Sequence, residues 1–472
     1  MIALTTALRS VHGRTLATML TATLGSAATA APTVFPTGTT IYDPAKASNG
    51  FTAFITPDTD GGVLIDMNGN VVKQWRQFSG VSGGPFRVLP GGYAMGPTAP
   101  NSPHLEAFSL LEVDWDGKVV WLYDHNEQVD APEGKRVWAA RQHHDWQREG
   151  SPAGYFAPGS APLATSGKTL VLAHKSAIVP AIADHELDDD YIVELDWRGN
   201  VLWDWHASEH IDELGFPPEA REAIRRAGEA ARGSFDWLHL NSMSYVGPNR
   251  WYDEGDERFA PENVIISSRQ ASIIAIIDRN GSVVWRAGPD YRDSDALRKL
   301  GQIIGQHHPH MIPKGLPGAG NILVFDNGGA SGYGYTTPSA PNGENGIGRD
   351  SSRVVEFNPV TYEKVWEYTI GGLEHYRFYS FYISSAQRLP NGNTLITEGA
   401  DGRIFEVTPA KEIVWEYVSP FFAKQPQPPG VPPNHRVYRA YRVPYDWVPQ
   451  AARPEERAVT PPNLSEFRVP AR

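Results

Sequence analysis

Six segments of the chain repeat one pattern: an apolar strand, a polar turn, and a second strand that closes in tryptophan. The first runs from Leu64-Ile65-Asp66-Met67-Asn68-Gly69-Asn70 to Trp75, and the second from Leu111-Glu112-Val113-Asp114-Trp115-Asp116-Gly117 to Trp121. The third runs from Val193-Glu194-Leu195-Asp196-Trp197-Arg198-Gly199 to Trp203, the fourth from Ile276-Ile277-Asp278-Arg279-Asn280-Gly281 to Trp285. The last two replace the glycine turn with proline, Val355-Glu356-Phe357-Asn358-Pro359 to Trp366 and Phe405-Glu406-Val407-Thr408-Pro409 to Trp415. Asn-Gly and Asp-Gly supply the positive φ a tight hairpin needs, and Pro fixes φ in a turn. Each segment therefore reads as a hairpin.

Between consecutive hairpins lies a second strand pair, clearest in Gln387-Arg388-Leu389-Pro390-Asn391-Gly392-Asn393-Thr394-Leu395-Ile396. Phe86 to Gly92 is another, and so is Met311 to Gly315 leading into Asn321-Ile322-Leu323-Val324-Phe325. Four strands recurring six times predict an all-β fold, a six-bladed β-propeller of four-stranded blades. The strand Asn321–Phe325 is expected to line its axis. Helical and loop insertions interrupt the ring. Pro217 to Ala227 and the Leu297, Leu300, Ile303, Ile304 series have helical spacing, and Asn327 to Arg349 is a Gly/Ser/Asn-rich loop. The expected boundaries are a signal peptide over 1–30, the propeller over 38–422 and a Pro-rich tail over 423–472.

Composition agrees with many short strands and turns: 14 Trp and 19 Tyr beside 45 Gly and 39 Pro. A net charge of −12 with no basic block excludes nucleic acid and anionic membranes as partners. An anion could bind only where positive groups gather locally. Arg9 and Arg14 ahead of the small, apolar run Thr15–Ala30, with an Ala28-Thr29-Ala30 cleavage pattern, predict export without a membrane span. The absence of cysteine leaves core burial and ring closure to supply stability.

The histidines fall in phase with the repeat. The innermost strand opens with Gln142-His143-His144-Asp145 in the third blade, with Asp236-Trp237-Leu238-His239 in the fourth, and with Gln306-His307-His308 in the fifth. Ser267-Ser268-Arg269 adds a guanidinium at the same end of the fourth blade. Three imidazoles and an arginine converging on one axial spot suit a compact oxyanion such as sulfate or phosphate. A metal reading, His308 and His310 with His143 or His144 on Zn or Cu, is opposed by the arginine in the same place. No metal and no cofactor are therefore expected. The acidic run Asp188-Asp189-Asp190 reads as a solvated turn with weak calcium potential.

From about Gly38 to Phe422 the chain resembles the arylsulfate sulfotransferases, PAPS-independent enzymes built on a six-bladed propeller. The resemblance rests on Ile41-Tyr42-Asp43-Pro44-Ala45-Lys46-Ala47, His143-His144-Asp145, Asp236 to Ser242, Ser267-Ser268-Arg269, Gln306-His307 and Phe325-Asp326-Asn327-Gly328. It implies a covalent histidine at His307 and sulfate-holding residues at His144, His239 and Arg269. The doublets leave His143 and His308 as one-residue alternatives, so His308 stays among the catalytic candidates. It further implies a ping-pong transfer of a sulfuryl group from an aryl sulfate to a phenol through a sulfohistidine. Characterised members carry an N-terminal β-sandwich used in dimerisation, whereas only Ala31 to Thr40 separates the cleavage pattern from the first motif here. No cysteine pair exists for the disulfide that some members have, and the expected state is monomer or homodimer. The competing expectation is an exported, non-catalytic propeller that binds an anionic or carbohydrate ligand. Aromatics exposed at the channel mouth would favour it; buried, converging histidines favour an enzyme.

Overall fold

Every Trp-closed hairpin is the outer half of a four-stranded antiparallel sheet, and six such sheets form the blades of a propeller. The computed structural model describes residues 36–461 except 58–59, 81–83, 99, 102–105, 131–133, 330, 334–335, 337, 339 and 425–432, so the expected signal peptide lies outside the described residues. In chain order the innermost strands of the second to sixth blades are Arg87–Leu89, Gln142–Arg148, Leu240–Tyr245, His307–Met311 and Ser385–Arg388. In the fifth blade the axial strand is thus His307–Met311. The apolar run expected at the axis, Ile322–Asp326, is its neighbour, buried between His307–Met311 and Arg353–Phe357.

The first blade takes its innermost strand from the far end of the chain. Ala440–Val443 pairs with Phe51–Ile55, inside the stretch read from sequence as a Pro-rich tail. The propeller therefore does not end at Phe422. At the other end, Gly38–Tyr42 adds a fifth strand outside Ile413–Val418 of the sixth blade. The ring is thus closed twice, each time by pairing segments from opposite ends of the sequence.

The tryptophans that close the hairpins also join the blades. The indole N–H groups of Trp121, Trp203, Trp285, Trp366 and Trp415 donate to turn carbonyls of the following blade, on Trp197, Arg279, Pro359, Pro409 and Met67. Trp75 is the exception, packing edge-on to Trp115 with ring centroids 5.5 Å apart. In four turns the Asp side chain accepts the N–H groups two and four residues on, as Asp196 does from Arg198 and Asn200. The glycine between takes positive φ. Trp285→Phe keeps one aromatic ring but removes the bond to Pro359 together with part of a buried indole. It should lower stability by at least about 1–2 kcal/mol in equilibrium urea unfolding, and an unchanged midpoint would show that this inter-blade contact is incidental.

Each blade enters at its innermost strand and leaves at its outermost, so every connection to the next blade emerges at one mouth. The helix Pro218–Ala230 and the helix Asp295–Leu300 both lie in such connections. The loop after Asp326 leaves at the same mouth, because Phe325 pairs with His307. Within that loop Ser331–Tyr333 and Glu344–Ile347 pair, and Arg226 of the first helix donates to Asn342. The insertions consequently build up the histidine-bearing mouth. Among the described residues no helix is long and apolar enough to cross a membrane.

Candidate active site

The backbone departs from regular strand where the histidines enter. His144, His239 and His308 have φ of 53°, 52° and 54°, and the three ladders shift register there. A left-handed residue at a bulge turns its neighbours off the alternating pattern of a strand. The sequence alone therefore cannot say which histidine of a doublet faces the axis.

The geometry separates the doublets. His144, His239, Arg269 and His307 line one cavity of about 260 Å³ at the built-up mouth. His143 turns away, with its Nδ1 2.8 Å from Nδ1 of His144 and its Nε2 3.4 Å from Asp190. His308 also turns away: its Nδ1 lies 3.2 Å from the Ala386 carbonyl and its ring sits against Tyr155 and Tyr441. His308, a catalytic candidate from the sequence, does not line the cavity and packs beside it. His310 has both nitrogens engaged, by the His308 carbonyl and the Tyr155 hydroxyl, so it has no free nitrogen to offer the His308–His310 metal reading.

His307 is held in one tautomer. The Asn327 amide nitrogen donates to the carbonyls of Ser380 and Ile383, which leaves its oxygen facing Nδ1 of His307 at 2.8 Å. Nδ1 must therefore carry the proton. Nε2 keeps its lone pair, which accepts the Ile383 N–H at 3.1 Å. Burial, with Arg269 and Arg439 nearby, holds the ring well below the usual imidazole pKa against the opposing Asn327 bond. His307 is thus neutral, with a nucleophilic nitrogen at the cavity wall.

The other imidazoles are held from behind by carboxylates. His239 Nδ1 meets Asp236 at 2.5 Å, and its ring stands edge-on to His144 with centroids 4.7 Å apart. Burial works against charge on Asp236, but His239 and His174 overcome it and lower its carboxyl to about 2. His144 is kept neutral by burial and then by His239. His174 stacks on His143 at 3.7 Å; burial opposes its charge, yet the bond to Glu106 with Asp190 and Asp236 nearby raises it to about 9.

Asp188, Asp189 and Asp190 are all buried in the strand Glu186–Leu195, which overturns the solvated-turn expectation. They brace Arg141, Ser208 and the Leu240 N–H respectively. His143, His174 and Asp190 also bring three metal-competent atoms within 4.8 Å of one another. The two ring planes lie only 19° apart, so their in-plane lone pairs do not converge on one ion.

Below the cavity the axis is filled. Asp145 pairs with Arg87 at 2.9 Å and with Arg439 at 2.7 Å, all three buried, and Arg439 also donates to the Asn241 carbonyl. Tyr438 forms a floor, donating to the carbonyls of His144 and Asn241. A larger cleft of about 630 Å³ lies beyond this plug at the opposite mouth, among Tyr245, Pro261, Pro313 and Lys314, and contains no histidine. The histidines and Arg269 gather in the smaller cavity.

Sequence reasoning missed His174, Asp236, Asp190, Asn327, Arg436 and Tyr438. Asp236 and Asn327 stood inside motifs already singled out, and their polar type next to a candidate histidine was the available signal. Arg436 and Tyr438 lie in the stretch read as a tail.

Sequence similarity to solved structures is low. A protein of unknown function from Bacteroides caccae is 11% identical over 84% of this chain and 99% of its own, with a TM-score of 0.40. Virginiamycin B lyase from Staphylococcus aureus is 10% identical over 71% and 69%, TM-score 0.32; BamB from Moraxella catarrhalis is 14% identical over 79% and 86%, TM-score 0.31. No curated protein matches the chain. The arylsulfotransferase (ASST) family model matches residues 160–418, which include His239, Arg269, His307 and Asn327. That match spans more than half of the chain, and the chain belongs to the arylsulfotransferase family.

Proposed function

We propose that this arylsulfotransferase moves a sulfuryl group from an aryl sulfate to a phenol, without PAPS, in two steps through a sulfohistidine at His307. The observation that carries the proposal is the fixed His307 tautomer: Asn327 holds the Nδ1 proton, and Nε2 of this cavity-lining ring is left unprotonated, meeting only the Ile383 N–H. In the first step Nε2 attacks sulfur and the bond from sulfur to the aryl oxygen breaks. The leaving oxygen takes a proton from His239, whose ring is oriented through Nδ1 by Asp236. As the N–S bond forms, the Ile383 N–H is released from Nε2 to a sulfuryl oxygen. Arg269 and His144 donate to the other oxygens; a single donor of this kind is worth on the order of 10²–10³ in rate. In the second step the acceptor phenol gives its proton to His239 and its oxygen displaces Nε2 from sulfur. Plugged below by Asp145, Arg87 and Arg439, and about 260 Å³ in volume, the cavity favours departure of the first phenol before entry of the second. The segment 1–30 is proposed to direct export.

The buried and converging imidazoles favour this reading over a non-catalytic propeller. It is tested by intact-protein mass after brief exposure to 4-nitrophenyl sulfate. A gain of about 80 Da with release of nitrophenol is expected; neither adduct nor nitrophenol would sink it. The proposal also fixes a pH response. Because the folded pKa of His307 lies below the ordinary value, the nucleophile stays neutral as pH falls through 6.5. Rapid-quench rates of adduct formation should hold between pH 7.5 and 6, where an ordinary imidazole nucleophile would lose roughly three-quarters of its neutral form. A decline of that size would contradict the shift.

A further inference from the structure

The cavity is lined by two arginines, Arg269 and Arg436, and the mechanism uses only the first. Both are partly buried, and neither makes a hydrogen bond or ion pair with any described residue. They stand apart in this. Among the described residues, every other arginine that is not exposed makes a hydrogen bond to an oxygen or an ion pair with a carboxylate. In a chain of net charge −12, two partly desolvated guanidiniums left without partners on one cavity mark it for anions at two places.

The two places face each other. Arg269 follows the second strand of the fourth blade, beside His239. Arg436 lies on the segment entering the innermost strand of the first blade. There Val437 N–H donates to the Gly399 carbonyl and Ser384 N–H to the Tyr438 carbonyl, both links to the sixth blade. In a six-bladed ring the fourth blade stands opposite the first. Phe381 and Tyr382, stacked with centroids 4.4 Å apart, line the cavity wall at the entry to the sixth blade, next to Ile383, whose N–H meets His307. In blade order this wall lies between His307 and Arg436, so an aryl ring that runs along it from a sulfuryl group held among His144, His239, Arg269 and His307 has its remote end toward Arg436.

We infer that Arg436 is a specificity-determining residue that selects aryl sulfates and phenols carrying a second anionic group, such as a carboxylate, on the ring end remote from the reacting oxygen. The inference rests on the transfer reaction proposed above. A guanidinium offers a carboxylate a paired fork of donors, while an uncharged ring substituent leaves that fork unmet. The phenol oxygen is unaffected by this contact, so selection acts on donor and acceptor alike.

The test charges the enzyme with 4-nitrophenyl sulfate and compares kcat/KM for two acceptors, 4-hydroxybenzoate and its neutral isostere 4-hydroxybenzamide. The ratio is taken for wild type, Arg436→Gln and Arg436→Lys, so that the intrinsic reactivity of the two phenols cancels. The acid-to-amide ratio should fall about tenfold in Arg436→Gln, the scale of one partly screened ion pair, and recover at least in part in Arg436→Lys. An unchanged ratio across the three proteins overturns the inference. So does an equal fall for both acceptors, which would put Arg436 on the sulfuryl group. A wild type that forms no adduct overturns the transfer reading itself, and this inference with it.

Discussion

His307→Ala is expected to abolish the adduct of about 80 Da and to lower kcat by roughly 10⁴–10⁶, the range seen when a covalent nucleophile is removed. The contrast that gives this result meaning is His308→Gln. His308 has the same residue type one position on, but its Nδ1 faces the Ala386 carbonyl and its ring packs on Tyr155 and Tyr441. Its replacement should cost stability and leave the adduct intact. Steady-state rates and intact mass on both variants decide between them. An adduct that survived in His307→Ala and vanished in His308→Gln would reverse the assignment.

The largest effect on stability is expected at Asp145, which no substrate touches. Its carboxylate lies between Arg87 and Arg439 and also accepts the N–H groups of Trp146 and Met243. Asp145→Ala would leave two buried guanidiniums without their counter-ion, a defect that costs about 3–5 kcal/mol. Urea unfolding followed by tryptophan fluorescence measures it through the midpoint. A loss below about 1 kcal/mol would mean that water or Tyr441 already meets those charges. Replacing all three partners together by apolar residues should cost less than removing Asp145 alone, because no lone charge then remains.

The architecture was open to sequence reading because its repeat is marked chemically. Every closing tryptophan but Trp75 has an indole donor with a defined target in the next blade, and each turn keeps its glycine or proline for a backbone reason. That phase placed His144, His239, Arg269 and His307 at one mouth. What stayed hidden has a common cause. The doublets are unreadable because left-handed residues at His144 and His308 break the two-residue period on which facing is judged. Asp188-Asp189-Asp190 looked solvated because three adjacent acids usually are. Burial is possible here because Arg141, Ser208 and the Leu240 N–H reach them from distant parts of the chain. Arg436, Tyr438 and Arg439 were lost in a proline-rich context, just ahead of a strand, Ala440–Val443, whose partner, Phe51–Ile55, lies near the opposite end of the sequence.

That pairing sets an order on how the molecule is made. The strands that seal the ring, Gly38–Tyr42 and Ala440–Val443, are each captured by a blade built from the other end of the chain. A growing polypeptide could form the third, fourth and fifth blades by local hairpin pairing long before synthesis ends. It would then hold every histidine of the cavity while Tyr438 and Arg439, the floor and one arm of the plug, were still unmade. Maturation into a working catalyst thus waits for the last fifteenth of the chain, and a truncated product carries the reactive imidazoles without the closed vessel that makes them useful.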